Sequence, residues 1–153
     1  MRCRSRLHRW NFYGGGGQKG EADMKALVIP DVHLKPYMFT EAAQRMKKGV
    51  ADRAVCLMDI PDDWNREYDI ELYAQTFDAA ISFAKEFPDT LWCYGNHDLC
   101  YLWNERESGY SRAAAYTVRN KLEELKEALP AGNQIRYIQR IDDVLFCHGG
   151  ILQ

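Results

Sequence analysis

Apolar residues along this chain follow two rhythms. Unbroken apolar runs over 25–30, 54–58 and 90–94 predict short strands buried on both faces. Between them the period lengthens to that of a helix. Residues 39–48 predict one, with Thr40 as its cap and Gly49 as its stop. Residues 70–87 predict a longer one: Tyr73, Phe77, Ile81 and Ala84 share a face, and Pro88 ends it. A third spans 111–129, capped by Ser111, with Val118, Leu122, Leu125 and Leu129 as its buried face and Pro130 beyond it. Two further strands, 134–138 and 144–147, flank Asp142-Asp143, a pair suited to a tight hairpin turn. The order β-α-β-α-β-α-β-β predicts an α/β fold with a largely parallel sheet covered by helices through right-handed crossovers. No internal repeat is present.

Residues 1–23 differ from the rest. They hold four arginines and a run of four glycines at 14–17, with no hydrophobic period. Such a segment buries too little surface to order itself. Lys19-Gly20-Glu21 suits purine-rich codons a short distance before Met24, so Met24 is one candidate for the true start and 1–23 a translated leader. A genuine disordered tail is the other reading. The expected domain is 24–153.

Bulk properties narrow the class. At 153 residues one domain with a real core is expected. A net charge of −2 gives no global basic field, so nucleic acid enters only as a possible substrate. No apolar run reaches membrane-spanning length, and no membrane partner is expected. The five cysteines include no C-x-x-C pair; Cys56, Cys93 and Cys147 lie in strand-like runs and read as small core residues. A reducing, cytoplasmic setting follows.

Four polar motifs end four of the apolar runs: Asp31-Val32-His33, Asp59-Ile60-Pro61-Asp62, Gly95-Asn96-His97-Asp98 and His148-Gly149-Gly150. In open α/β sheets the ligand site lies beyond the carboxyl ends of the strands, so the motifs should converge. Carboxylate, imidazole and amide oxygen are ligands for hard or borderline divalent metals. Asp31 and His33 can turn toward one ion, and Asn96 and His148 offer an oxygen and a nitrogen to another. Asp59 can bridge the two with one carboxylate oxygen for each, at the ~3.5–4 Å spacing of two-metal sites. Such a pair neutralises a phosphate and lowers the pKa of a bridging water toward hydroxide. His97, next to Asn96, is placed to stabilise developing charge or protonate a leaving alkoxide. Asp62 or Asp98 would fix its tautomer, and Asp62 is favoured. Singly, each motif has a plainer explanation as a polar turn. Their order and placement carry the reading. Trp92, Cys93 and Tyr94 read as core, and Tyr101, Trp103 and Tyr110 as hydrophobic cover for the Gly95–Asp98 loop.

This set resembles the calcineurin-like metallophosphoesterase superfamily, from Met24 to the C-terminus. Phe146-Cys147-His148-Gly149-Gly150 looks most like the branch of Ser/Thr protein phosphatases and dinucleoside tetraphosphatases. The resemblance implies a two-sheet sandwich flanked by helices, an αββα arrangement here only partial. It implies two divalent metals, manganese, iron or zinc, on the residues matching Asp31, His33, Asp59, Asn96 and His148. It implies a catalytic histidine at His97 paired with Asp62, leaving Asp98 as outer support. The implied activity is hydrolysis of a phosphate monoester, of a phosphoprotein or small molecule. A phosphodiesterase or nuclease, or a dinucleoside tetraphosphatase, is the enzymatic alternative, and a decayed, non-catalytic binding domain is the other.

Three departures stand out. Met58 replaces the glycine that usually precedes the bridging aspartate, which should shift Asp59 slightly. Asp63-Trp64 stands where protein phosphatases of the eukaryotic type carry an arginine, so a phosphoprotein substrate is less secure. No histidine follows His148, whereas the superfamily carries a later Gly-His-x-His type motif giving each metal one more ligand. The resemblance therefore implies a chain truncated at its C-terminus, with an exposed sheet edge, weaker metal binding and poor or no activity.

Overall fold

A computed structural model of the chain describes residues 12–13 and 24–150. Its elements are β1 (Phe12–Tyr13), β2 (Ala26–Ile29), α1 (Tyr37–Lys47), β3 (Arg53–Cys56), α2 (Ile70–Glu86), β4 (Leu91–Trp92), α3 (Asn96–Trp103), α4 (Ala115–Ala128), β5 (Ile138–Ile141) and β6 (Val144–Cys147). The four-stranded sheet runs β1-β2-β3-β4. Its last three strands are parallel, with Leu27 opposite Ala54 and Cys56 opposite Trp92. The α/β class and the parallel sheet flanked by helices follow the sequence pattern. Residues 1–11 and 14–23 of the expected leader lie outside the described residues; Phe12–Tyr13 pairs antiparallel with β2.

The two faces of the sheet are covered differently. Leu27, Ile29, Ala54, Cys56 and Trp92 join one core with Phe39 of α1, Phe77 of α2 and Leu122 of α4. The alternate residues, Ala26, Val28, Val55, Leu91 and Cys93, join a second core with Ile141 and Phe146 of β5 and β6. Period-two alternation thus sends one set of side chains to helices and the other to a hairpin. That hairpin is a separate two-stranded sheet, β5-β6, turning at Asp142, whose φ of +52° suits an aspartate in a tight turn. The strands are buried on both faces, as their unbroken apolar runs require.

Four expectations need correction. Helix α1 starts at Tyr37 after Pro36, whose fixed φ of −57° is already helical, so Thr40 lies inside the helix and caps nothing. Gly49 does stop it, at φ +66°. Helix α4 starts at Ala115; the Ser111 hydroxyl accepts from Ala114 N–H (2.9 Å) and caps the turn leading in. Residues 134–138 form no full strand: Arg136 makes a single bridge to Cys93, and β5 begins at Ile138. The Gly-Asn-His-Asp motif opens helix α3 rather than a loop. Gly95 precedes the helix, and Asp98 at its third position accepts from Gly95 N–H at 2.9 Å.

Candidate metal and catalytic site

The sequence brings two loops side by side before any side chain is considered. Beyond β2 and β3 the parallel pairing continues: Val32, His33 and Leu34 donate their N–H groups to the carbonyls of Met58, Asp59 and Ile60 at 2.8–3.0 Å. Five non-glycine residues in these loops, His33, Leu34, Met58, Asp59 and Asp62, have φ between +41° and +65°. Left-handed backbone costs an L-residue about 1 kcal/mol, and it persists where the surroundings over-determine it. Met58, in the place expected of glycine, is one of the five and is fully buried.

Asp98 clamps these loops to α3. Its buried carboxylate accepts from Asp59 N–H (2.8 Å), Ile60 N–H (3.1 Å) and Gly95 N–H (2.9 Å). Burial first, and then the Asp59 charge, push its pKa up to about 7 against these three donors. Gly95 is required by close approach: a Cβ there would meet Asp59 Oδ1 at 2.3 Å and its Cα at 2.8 Å.

His33, Asp59, Asn96 and His148 approach one another, whereas the exposed Asp31 approaches the Nδ1 side of His148. Asp59 Oδ1 accepts from the backbone N–H of His97 at 2.8 Å, so it is committed to the protein. Its other oxygen, Oδ2, lies 3.3 Å from His33 Nε2 and 3.4 Å from His148 Nε2. His148 Nε2 also lies 3.1 Å from Asn96 Oδ1, and its Nδ1 lies 3.4 Å from Asp31 Oδ1. The expectation of one Asp59 oxygen per ion therefore changes: a single oxygen faces both histidines.

Tautomers follow from the partners. His33 Nδ1 lies 2.9 Å from the carbonyl of Asp62, and His148 Nδ1 lies 3.1 Å from the carbonyl of Leu57. A carbonyl only accepts, so both Nδ1 atoms carry hydrogen. In the neutral form of either ring, the Nε2 lone pair would then point at an Asp59 oxygen that also only accepts. Turning the Asn96 amide would let it donate to His148, but Asp59 has no such alternative. Only protons or a cation reconcile these groups. Imidazole held through Nδ1–H on a carbonyl, with Nε2 free, is the usual arrangement of a metal-ligating histidine.

The donor set thus suits a divalent cation in type. Donors 2.0–2.2 Å from one ion sit roughly 3–3.5 Å from each other, the spacing found here. Among the described residues, however, no three His, Cys, Asp or Glu side chains stand ready around one point. The donors contact one another instead.

The second half of the site is built from hydrogen bonds. His97 Nδ1 lies 3.0 Å from Asp62 Oδ2. That bond raises the His97 pKa; burial opposes it and the Asp59 charge adds to it. Asp62 Oδ1 accepts from the hydroxyls of Tyr73 (2.8 Å) and Tyr101 (2.5 Å), and Tyr101 in turn accepts from Ser111 N–H (2.8 Å). Burial, and then the Asp62 carboxylate, hold both phenols well above their ordinary range. Asp62, not Asp98, is the carboxylate on His97. The ring of His97 meets that of His33 edge-on at 5.2 Å. Sequence reasoning assigned neither Tyr73 nor Tyr101 to the site. A cavity of about 210 Å³ opens beside these rings, lined also by Lys35, Asp63 and Trp64.

Comparison with known proteins agrees. The sequence profile of the calcineurin-like phosphoesterase family matches residues 24–152, and the chain belongs to that family. Members generally act on phosphate esters with a dinuclear divalent metal centre, so the chain is a metal-dependent phosphoesterase in general class. No curated protein and no solved structure matches it. No described helix is long and apolar enough to cross a membrane.

Proposed function

We propose that this phosphoesterase hydrolyses phosphate monoesters with two divalent cations. Asp31, His33 and Asp59 would hold one, and Asp59, Asn96 and His148 the other. The observation that carries the reading is Asp59 Oδ2, shared between the Nε2 atoms of two histidines whose Nδ1 hydrogens are taken by backbone carbonyls. Cations held there neutralise phosphate charge and acidify water.

The chain's own side chains have the remaining tasks. Asp98 holds the Asp59 loop through the N–H groups of Asp59 and Ile60, which positions the Asp59 carboxylate. His97, hydrogen-bonded through Nδ1 to Asp62, presents Nε2 as donor to the leaving oxygen. Its raised pKa keeps a proton available for that step. The two tyrosines occupy Asp62 Oδ1, so Oδ2 remains directed at His97. Cys56, Cys93 and Cys100 are buried free thiols, which suits a reducing, cytoplasmic setting.

Manganese titration followed by electron paramagnetic resonance tests the ligand set; two ions per chain are expected, and an Asp59→Asn chain should lose them. Para-nitrophenyl phosphate against its bis ester tests the reaction. Faster turnover of the bis ester would replace the monoester reading with the phosphodiesterase. Absence of manganese uptake would remove both.

A further inference from the structure

We propose that Lys35 grips the substrate phosphate from the protein side of the cavity, and that Asp63 sets how strongly it does so. This rests on the phosphoesterase reading above. Lys35 follows His33 by two residues, across the left-handed pair His33-Leu34. That bend brings its ammonium back to the carbonyl of His33, at 2.7 Å. A second contact reaches Asp63 Oδ2 at 3.1 Å. An ammonium has three N–H donors, and these contacts use two. The cavity that Lys35 lines is shared with His33 and His97, so a phosphate there lies within reach of the third.

The charges in that cavity are unequal in their commitments. Asp62 is satisfied by two phenols and His97. Asp63 Oδ1 takes the N–H of Trp64 at 2.8 Å, and Oδ2 has Lys35. Lys35 is 27% and Asp63 35% exposed, and such a partly solvated pair is weak. A phosphate oxygen offers Lys35 a shorter, charge-assisted bond. Lysine is a compact charge on a flexible stem, so it can exchange the carboxylate for phosphate without backbone movement. Asp63 competes with phosphate for the same ammonium and repels the same anion.

Opposite signs at the two positions separate this from a merely structural pair. Inorganic phosphate is titrated into the full chain by calorimetry, with and without manganese. Lys35→Gln should weaken phosphate binding about tenfold, Lys35→Arg should restore most of it, and Asp63→Asn should tighten it about threefold. The proposal is overturned if Lys35→Gln binds within twofold of the parent, if Asp63→Asn weakens binding, or if the parent takes up phosphate under neither condition. Manganese uptake, read separately, judges the metal site, so loss of one reading does not decide the other.

Discussion

The site has two halves built on opposite terms. Around Asp62 every polar atom meets its complement: two phenols and an imidazole face one carboxylate. Around Asp59 Oδ2, two imidazole Nε2 atoms stand 3.3–3.4 Å away, each with its Nδ1 already on a backbone carbonyl. Both carboxylates are nearly inaccessible to water, at 1% and 2% exposure, so solvent does not account for the contrast. The Asp62 half is complete as protein and fixes the orientation of His97. Under the two-cation proposal, the Asp59 half takes its positive charge from outside the chain. One half is thus part of the fold's stability, and the other is held in place by the fold at some cost to it.

Replacing each carboxylate should expose the contrast. Asp62→Ala orphans two buried phenols and the His97 N–H. It should destabilise the metal-free chain by about 3 kcal/mol or more, a fall in Tm of roughly 10 °C by calorimetry. Asp59→Asn keeps an acceptor for the His97 N–H and places an NH2 group where Oδ2 faced two lone pairs. Metal-free, its Tm should hold or rise, while manganese affinity falls about 100-fold, near 2.7 kcal/mol. A metal-free Asp59→Asn chain as unstable as Asp62→Ala would show that the two halves are built alike.

How much of this the sequence discloses follows the same division. The half proposed to hold metal stands out in the sequence because Asp31, Asp59, Asn96 and His148 are chemically conspicuous and follow strand-like runs, and strand ends converge. The supporting half is not. Tyr73 sits at the same helical spacing as Phe77 and Ile81, and nothing in periodicity separates a phenol aimed at a carboxylate from a core ring. Tyr101 reads as cover for a loop because α3 itself is hidden: Asn96 and Asp98 are turn formers, and the helix is only eight residues long. The element order gives the parallel sheet, but it does not say that helices take one face and the β5-β6 hairpin the other. That choice depends on which alternate strand residues meet Ile141 and Phe146, a matter of distant packing.

The smallest test lies inside the complete half. Tyr73 and Tyr101 donate to the same oxygen, yet their hydroxyls differ in what else they hold. Tyr73→Phe removes one of two donors from Asp62 Oδ1 and leaves the other, so about 1 kcal/mol is expected. Tyr101→Phe also strips the acceptor from the buried Ser111 N–H, which should bring the loss to about 2 kcal/mol. In urea denaturation both midpoints should fall in that order. Manganese affinity should stay within about twofold in both, because neither phenol touches Asp59 or its histidines. Equal losses would mean that the Ser111 link contributes nothing to holding Asp62. A matching fall in metal affinity would mean that the two halves are coupled through the loop from Asp59 to Asp62, and that the site is one unit after all.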